Sequence, residues 1–575
     1  MKKTHLPFRL LSLWLALTLP WGFAAPAGAA AGGLARVNIL ADGLTPEVRP
    51  HVGVDCMEQV LQRLVAEDTY PIQGSTCQTN SSGKLPLEEP WIHATGSIVE
   101  VGDNIATWNV CGFSPAILDP NAPQNLEELQ AADPKEVAQL SKFDGRNYGI
   151  ITPVRDQGSS NLCWAYASVN ASEASILREG IDPSATLDTL RFSPTHLGYI
   201  RFNRGPDLLG NTAGEEDPTA DWLQASGSPG YSSTLFSQWW GPVQDGTPMV
   251  NTPSVIEEHS GYRMEHAIEL DGQRLSSNPA ARTRMKEAIA QYGAVTFSYN
   301  WIHEVPYDNP SRGGFGNPHA CTIIGWDDTI PASLFSGGAS QDGGWLVKNS
   351  YSSLPYFYLS YDNNSSYVFA FDYATKEEYD FNYFYDSSVD DFGMAASLNY
   401  TCAANVFQGL KGSDSQTEYV KAVQVGFYGS GATCDVKVYT NLQDQQDMSD
   451  LANVDPTLGT LAASGSATFD RPGYHTVPLE QLAEVAPGSY FSIVVQISGS
   501  SPYLRGIRAA DCKSYVLSKY GAWQKSGLNV PRLKAYTVLE NTSTGLTPEE
   551  TPHASIDDTP EALTGLMPEA TYLVN

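Results

Sequence analysis

Cys163 stands in the stretch "VRDQGSSNLCWAYASVNAS", after a Gly/Ser/Asn-rich turn and directly before an alanine-rich run opened by Trp164. A thiolate is a strong nucleophile, but an ordinary thiol stays mostly protonated at neutral pH unless a helix N-terminus or a neighbouring imidazolium favours the charge. The run from Cys163 stops at Gly180 as a helix would, which puts Cys163 in a first turn beside unpaired N–H groups. Half of a disulfide, or an inert buried thiol, is the other reading of this residue. A nucleophilic cysteine further needs a base, a group that orients the base, and donors for an oxyanion. "GNPHACTIIGWDD" offers His319 at the start of an apolar strand, and "GGWLVKNSYSS" offers Asn349 at the end of the next one. Gln157 offers a side-chain amide just upstream of Cys163. Together these side chains could carry out acyl transfer through a thioester, a chemistry that calls for no metal and no cofactor.

The elements needed to hold them are legible. Asn278 is a good N-cap, Pro279 suits a first helical position, Met285, Ala288, Ile289 and Tyr292 recur at helical spacing, and Gly293 ends the helix. "AVTFSYNW", "HACTIIGW" and "GWLVKNS" read as three short apolar strands. From about residue 376 the pattern turns to period two. "KAVQVGFY", "CDVKVYT" and "YFSIVVQI" each place apolar residues on one face, with Gly/Ser/Asp-rich turns between them, as in an antiparallel β-sandwich. Upstream, "GSIVEVGDNIATWNVCGF" reads as strands with a turn at Gly102-Asp103, and "NLEELQAADPKEVAQLSKF" as helix interrupted by Pro134.

The chain's 575 residues and 42% hydrophobic content suffice for several domains with real cores. Its net charge of −30 argues against nucleic acid or an anionic membrane as partner. Lys2, Lys3 and Arg9, then the apolar run from Leu10 to Ala25, then "APAGAAAGG", read as a secretory signal peptide, with no later membrane span. The expected location is extracellular, free or associated with the cell surface. None of the eight cysteines forms a CxxC pair, so a thiolate zinc site is not expected. His266, in "EHAIEL", also reads His-Ala, but it precedes the helix at Asn278, so His319 is the better candidate base.

Taken in order, "FDGRNYGIITPVRDQGSSNLCWAYAS", "NPHACTIIGWDD" and "GWLVKNS" resemble the papain-like cysteine peptidases over residues 143 to 372. The resemblance implies Cys163 as nucleophile, His319 as base and later acid, Asn349 holding the imidazole, and Gln157 with the Cys163 N–H as oxyanion donors. It makes Cys321, which occupies an apolar strand position of the family, a buried free thiol. It also makes Ser226 to Gly230 a glycine-rich cleft segment able to pair with an extended substrate. Two departures stand out. "GSSNLC" lacks the usual Gly-Cys before the nucleophile, and Tyr351 replaces a Trp that shields the Asn–His hydrogen bond and borders the leaving-group side.

Further on, "ANVFQG", "AVQVGFY", "GYHTVPL" and "SYFSIVVQI" resemble the lectin-like domain attached to some bacterial and archaeal papain-like peptidases. The expected fold is therefore α+β, a papain-like two-lobed domain (a helical lobe and a β-barrel-like lobe) followed by an all-β sandwich. The expected division is signal peptide 1–30, prosegment or accessory region 31–141, papain-like domain 142–375, lectin-like sandwich 376–540 and acidic disordered tail 541–575. Deleting 376–540 is expected to spare some hydrolysis of small peptides. The expected function is secreted cysteine endopeptidase, with protein or peptide substrates and a surface glycan or cell-wall ligand as the open partner of the sandwich. The alternative is an extracellular binding or adhesion protein with a non-hydrolytic papain-like scaffold.

Overall fold

The computed structural model describes residues 98–101, 105–108 and 119–541, apart from 216–218, 302–304, 311–316, 387–400, 501, 510–511 and 528. The expected signal peptide, most of region 31–141 with Cys56, Cys77 and Cys111, and the tail beyond residue 541 lie outside the described residues. Ile98–Val101 and Ile105–Trp108 pair as an antiparallel hairpin. The helix-prone stretch splits at Pro134 into Leu126–Ala131 and Pro134–Val137, capped by the side chains of Asn125 and Asp133.

Helix α1, Cys163–Glu179, is buried at every residue from Trp164 to Arg178 and ends at Gly180 with φ 69°. It carries no polar face because strands and helices cover it all round, which is why alanines and serines dominate it. Two of its serines bond back to the preceding turn, Ser168 to the Trp164 carbonyl and Ser172 to that of Ser168. Helix α2, Pro229–Ser237, and strand β1, Tyr262–Leu270, follow. Next come helix α3, Pro279–Tyr292, capped by Asn278, and strand β2, Val295–Trp301. Strands β3, Asn317–Asp327, and β4, Gly344–Lys348, complete the scaffold of the candidate site. Strand β3 is central to this sheet, pairing antiparallel with β2, β4 and Lys142–Asp144.

The second half is a sandwich, but its sheet does not begin at residue 376. Strand β5, Val368–Thr375, pairs with β1. Strands β6, Gln416–Tyr428, and β7, Gly473–Val485, belong to the sandwich. Strand β1 also pairs with β7, with Tyr474 opposite Ala267 and His475 opposite His266. One seven-stranded sheet therefore runs from β5 through β1, β7 and β6 to Leu533–Asn541 and Phe381–Tyr383. A period-two pattern marks a strand but not its partner, so this continuity was not legible beforehand. His266 lies at this junction, its ring tilted against those of His475 and Phe469 with centroids 5.3 and 5.7 Å away.

Side chains reinforce the seam. Gln238, just past α2, donates to the Asp386 carbonyl across it, and the buried Asp386 carboxylate is held in turn by Arg532 at 3.0 Å and Lys534 at 2.8 Å within the sandwich. Trp239, just past α2, packs on Tyr536 at 5.1 Å with the Arg263 guanidinium over its ring at 4.4 Å. The Tyr474 hydroxyl meets Thr234 of α2 at 3.0 Å, and Arg505 pairs with Glu269.

One buried histidine gives a pH test. Burial is the main force pushing His196 from 6.5 down to about 4, with the Val250 backbone carbonyl opposing it and His259 adding to it. The unfolded chain then binds the proton first as pH falls, so the stability this residue lends is present above 6.5 and lost towards 4. Relative to His196→Leu, wild type is expected to lose on the order of 3 kcal/mol across that window, as read by urea unfolding at each pH. Parallel pH profiles for the two proteins would contradict this.

Candidate active site

Cys163 is the first residue of α1, and its N-cap, Leu162, makes no side-chain capping bond. The helix's own ladder starts with Ala165 and Tyr166 donating to the Leu162 carbonyl, which leaves the N–H groups of Cys163 and Trp164 for another acceptor. Burial pushes the Cys163 thiol up, while the backbone N–H groups of Ala320, Trp164 and Cys163 itself pull it back. Cys163 is half-buried and free, whereas the other free cysteines, Cys321, Cys402, Cys434 and Cys512, are buried.

His319 and Cys321 share one face of β3, as alternate residues of a strand must. The His319 Nε2 and the Asn349 Oδ1 are 2.9 Å apart, and both residues are buried. Asn349 follows β4 directly. Its Nδ2 donates to the Leu354 carbonyl at 3.0 Å, and its Oδ1 also accepts from the Ser350 N–H at 2.8 Å. The Cys321 Sγ lies 3.8 Å from that same oxygen, so the thiol is part of the site's floor. Burial pushes the His319 imidazole down, and the Asn349 hydrogen bond holds it up. With Asn349 on Nε2, Nδ1 is left as the basic nitrogen.

Gln157 is tied at both ends of its amide: Nε2 donates to the Ser160 carbonyl at 2.6 Å, and Oε1 accepts from the Ser350 hydroxyl at 2.6 Å. Its backbone N–H also reaches the Ser350 carbonyl at 2.8 Å. Ser350 thus joins the Gln157 loop to Asn349, a role the sequence reading missed although "KNS" contains it. Lys348, the last residue of β4, is buried and donates to Thr152 and Asn170, both at 2.9 Å. Burial drives it down to about 7 against the pull of Glu173. This contact pins the strand that ends at Asn349 to the helix that begins at Cys163.

The glycine-rich segment is tied to the same loop, since Asn161 bonds the carbonyls of Leu223 and Gln224. A Cβ on Gly227 would sit 2.4 Å from the Trp164 indole, so only glycine fits there. The expected substrate-pairing stretch is shorter than Ser226 to Gly230, because Pro229 and Gly230 are buried in α2. Helix formation uses up that backbone and leaves Ser226 and Gly227 accessible. Among the described residues no group of three His, Cys, Asp or Glu could hold a metal ion, and no helix is long and apolar enough to cross a membrane.

The comparisons fall on both halves. The family described as "Lectin like domain" matches residues 384–537. Digestive cysteine proteinase 2 of Homarus americanus is 22% identical over 241 residues, 41% of this chain and 66% of that protein. Cathepsin L1 of Drosophila melanogaster is 22% identical over 234 residues, 40% of this chain and 55% of that protein. The chain thus spans a little under two thirds of one of these relatives and about half of the other. Among solved structures, the clostridial cysteine protease Cwp84 after propeptide cleavage aligns with a TM-score of 0.52 at 20% identity, covering 69% of this chain and 98% of that one. The cysteine protease and lectin-like domains of Cwp84, a surface layer associated protein of Clostridium difficile, align with the same score and identity over 88% of their length. At that identity the likeness speaks for the fold. The chain is thus similar to cysteine proteinases over about two fifths of its length and to a lectin-like domain over residues 384–537, and it shares the fold of a cysteine protease joined to a lectin-like domain.

Proposed function

We propose that this chain is a secreted cysteine endopeptidase acting through Cys163, His319, Asn349 and Gln157. The observation that carries the proposal is the 2.9 Å His319–Asn349 contact on β3, with Cys163 half-buried and free at an uncapped helix start. The Cys163 proton passes to Nδ1 of His319, and the sulfur attacks the peptide carbonyl carbon. The Cys163 N–H and the second Nε2 hydrogen of Gln157 receive the oxyanion. His319 then gives its proton to the leaving amine as the C–N bond breaks, and a thioester remains. Water attacks that thioester while His319 accepts its proton, and the thiol is released.

Burial opposes charge on both Cys163 and His319, so each charged form depends on its own partners: backbone N–H groups for the thiolate and Asn349 for the imidazolium. The substrate is an extended peptide beside Ser226 and Gly227. The working location is extracellular, and the lectin-like half is a docking module for a surface glycan or cell-wall ligand.

Labelling tests this. A cysteine-directed epoxide is expected to modify the reduced, purified chain at one peptide, the one holding Cys163, with loss of peptidase activity. Labelling elsewhere, with Cys163 untouched and activity retained, would overturn the assignment.

A further inference from the structure

The imidazole of His319 is covered by more than Tyr351. Trp301 is the last residue of β2 and, with Tyr299, faces the same side of the sheet as His319. In register, Tyr299 lies opposite His319 and Trp301 opposite Asn317, so Trp301 is the diagonal neighbour of His319, a distance large side chains can bridge. It does so: the Trp301 and His319 ring centroids are 5.2 Å apart. Tyr351 stacks on His319 at 5.6 Å, and Trp301 and Tyr351 stack on each other at 5.7 Å with an interplanar angle of 16°. Three nearly equal separations make a triangle. A sandwich of His319 between the other two would put the outer rings about twice as far apart as each lies from the middle one. The indole and the phenol therefore lie side by side against the imidazole, at the partly exposed rim beside the buried His319–Asn349 hydrogen bond.

We infer that Trp301 is a positioning residue for the proposed reaction: its indole supplies the aromatic cover of His319 that the smaller Tyr351 leaves incomplete. Two physical effects follow. The ring limits rotation of the imidazole about the geometry set by Asn349. Its π face also favours the imidazolium over the neutral ring, an attraction that grows when water is excluded. The other groups facing His319 do not supply this. Among the described residues they are the Cys321 thiol from β3, 3.8 Å from the Asn349 oxygen that His319 meets, the Tyr299 phenol from β2, and the Asn349 and Tyr351 side chains from the loop after β4. Among the described residues, the carboxylate of Asp308 acts on Tyr299. Trp301 thus compensates for burial, which works against the charged ring.

This inference rests on His319 being the base of Cys163, and the test separates the two. The full chain is assayed for kcat, KM and the pH dependence of kcat/KM on a peptide amide, with epoxide labelling of Cys163 in parallel. Trp301→Leu keeps an apolar side chain but removes the π face. It is expected to lower kcat roughly tenfold with KM nearly unchanged, and to move the acidic limb of the profile, where His319 must lose its proton to act as base, down by about half to one pH unit. Trp301→Phe, with a smaller ring, is expected to fall between Leu and wild type on both measures. A wild-type kcat and profile in both variants, or in Trp301→Phe where Trp301→Leu does not fold, would overturn the inference while Cys163 labelling stands. Absence of Cys163 labelling in wild type would instead remove the reading beneath it.

Discussion

Replacing Cys163 by alanine is expected to abolish peptide hydrolysis and epoxide labelling together, with the thermal transition left close to wild type. The other free cysteines are buried, and Cys321, the one that shares the site, faces Asn349 and is pushed well up by burial. Among the described residues no second thiol is therefore placed to form the thioester. His319→Ala is expected to cost on the order of 10³-fold or more in turnover, because it removes the proton acceptor and the acid for the leaving amine at once. Gln157→Ala removes one oxyanion donor and is expected to cost about 10²–10³-fold. It also breaks the bridge through Ser350, so part of the loss should appear as a looser Asn349. Asn349→Ala should be milder than His319→Ala, since a misoriented imidazole still accepts a proton part of the time. Progress curves for the four purified variants check the order. Wild-type hydrolysis by Cys163→Ala would refute the scheme.

Removing residues 384–541 is expected to yield no soluble, folded chain, in contrast to the residual small-peptide hydrolysis that the sequence pattern suggests. Strand β1 of the catalytic half pairs with β7 of the sandwich, so truncation turns an internal strand into an open, largely apolar edge. Tyr474 is fully buried in the catalytic core, and Tyr536 is fully buried against Trp239. Emptying each such site costs about 3–5 kcal/mol by comparison with large-to-small core substitutions. A folded chain holds only about 5–15 kcal/mol in all. Two vacated aromatic sites plus an unpaired edge therefore approach the whole reserve. Size-exclusion chromatography and circular dichroism of residues 119–383 check this. A monodisperse, folded fragment that labels at Cys163 would contradict it.

This expectation also locates the boundary between what is local and what is not. The nucleophile helix was legible from Cys163 to Gly180, because an alanine-rich run between a polar turn and a glycine has few other outcomes. Helix α3, with its cap at Asn278, and strands β2, β3 and β4 were legible for the same kind of reason: cap chemistry and apolar runs act within a few residues. The approach of His319 to Asn349 was expected from the resemblance, and the structure brings their side chains together. The clamp of Trp301 on His319 was not read, although "SYNW" and "NPH" contain it, because it needs the register between β2 and β3. The pinning of Lys348 to Thr152 and Asn170 likewise joins residues remote in the chain.

By itself, the sequence determined the main helices and strands around the candidate site and the alternation that makes the second half a sandwich. Helix caps, glycine at positive φ and side-chain period are properties of short segments. Only the tertiary structure decided that the sandwich sheet continues through β1 and β5 into the catalytic half, that His266 packs at that seam, and that Pro229 and Gly230 are lost to a helix. Strand pairing and ring stacking depend on which distant segments meet. Many partners satisfy the same local pattern, and the choice among them is made by burial of the whole chain at once.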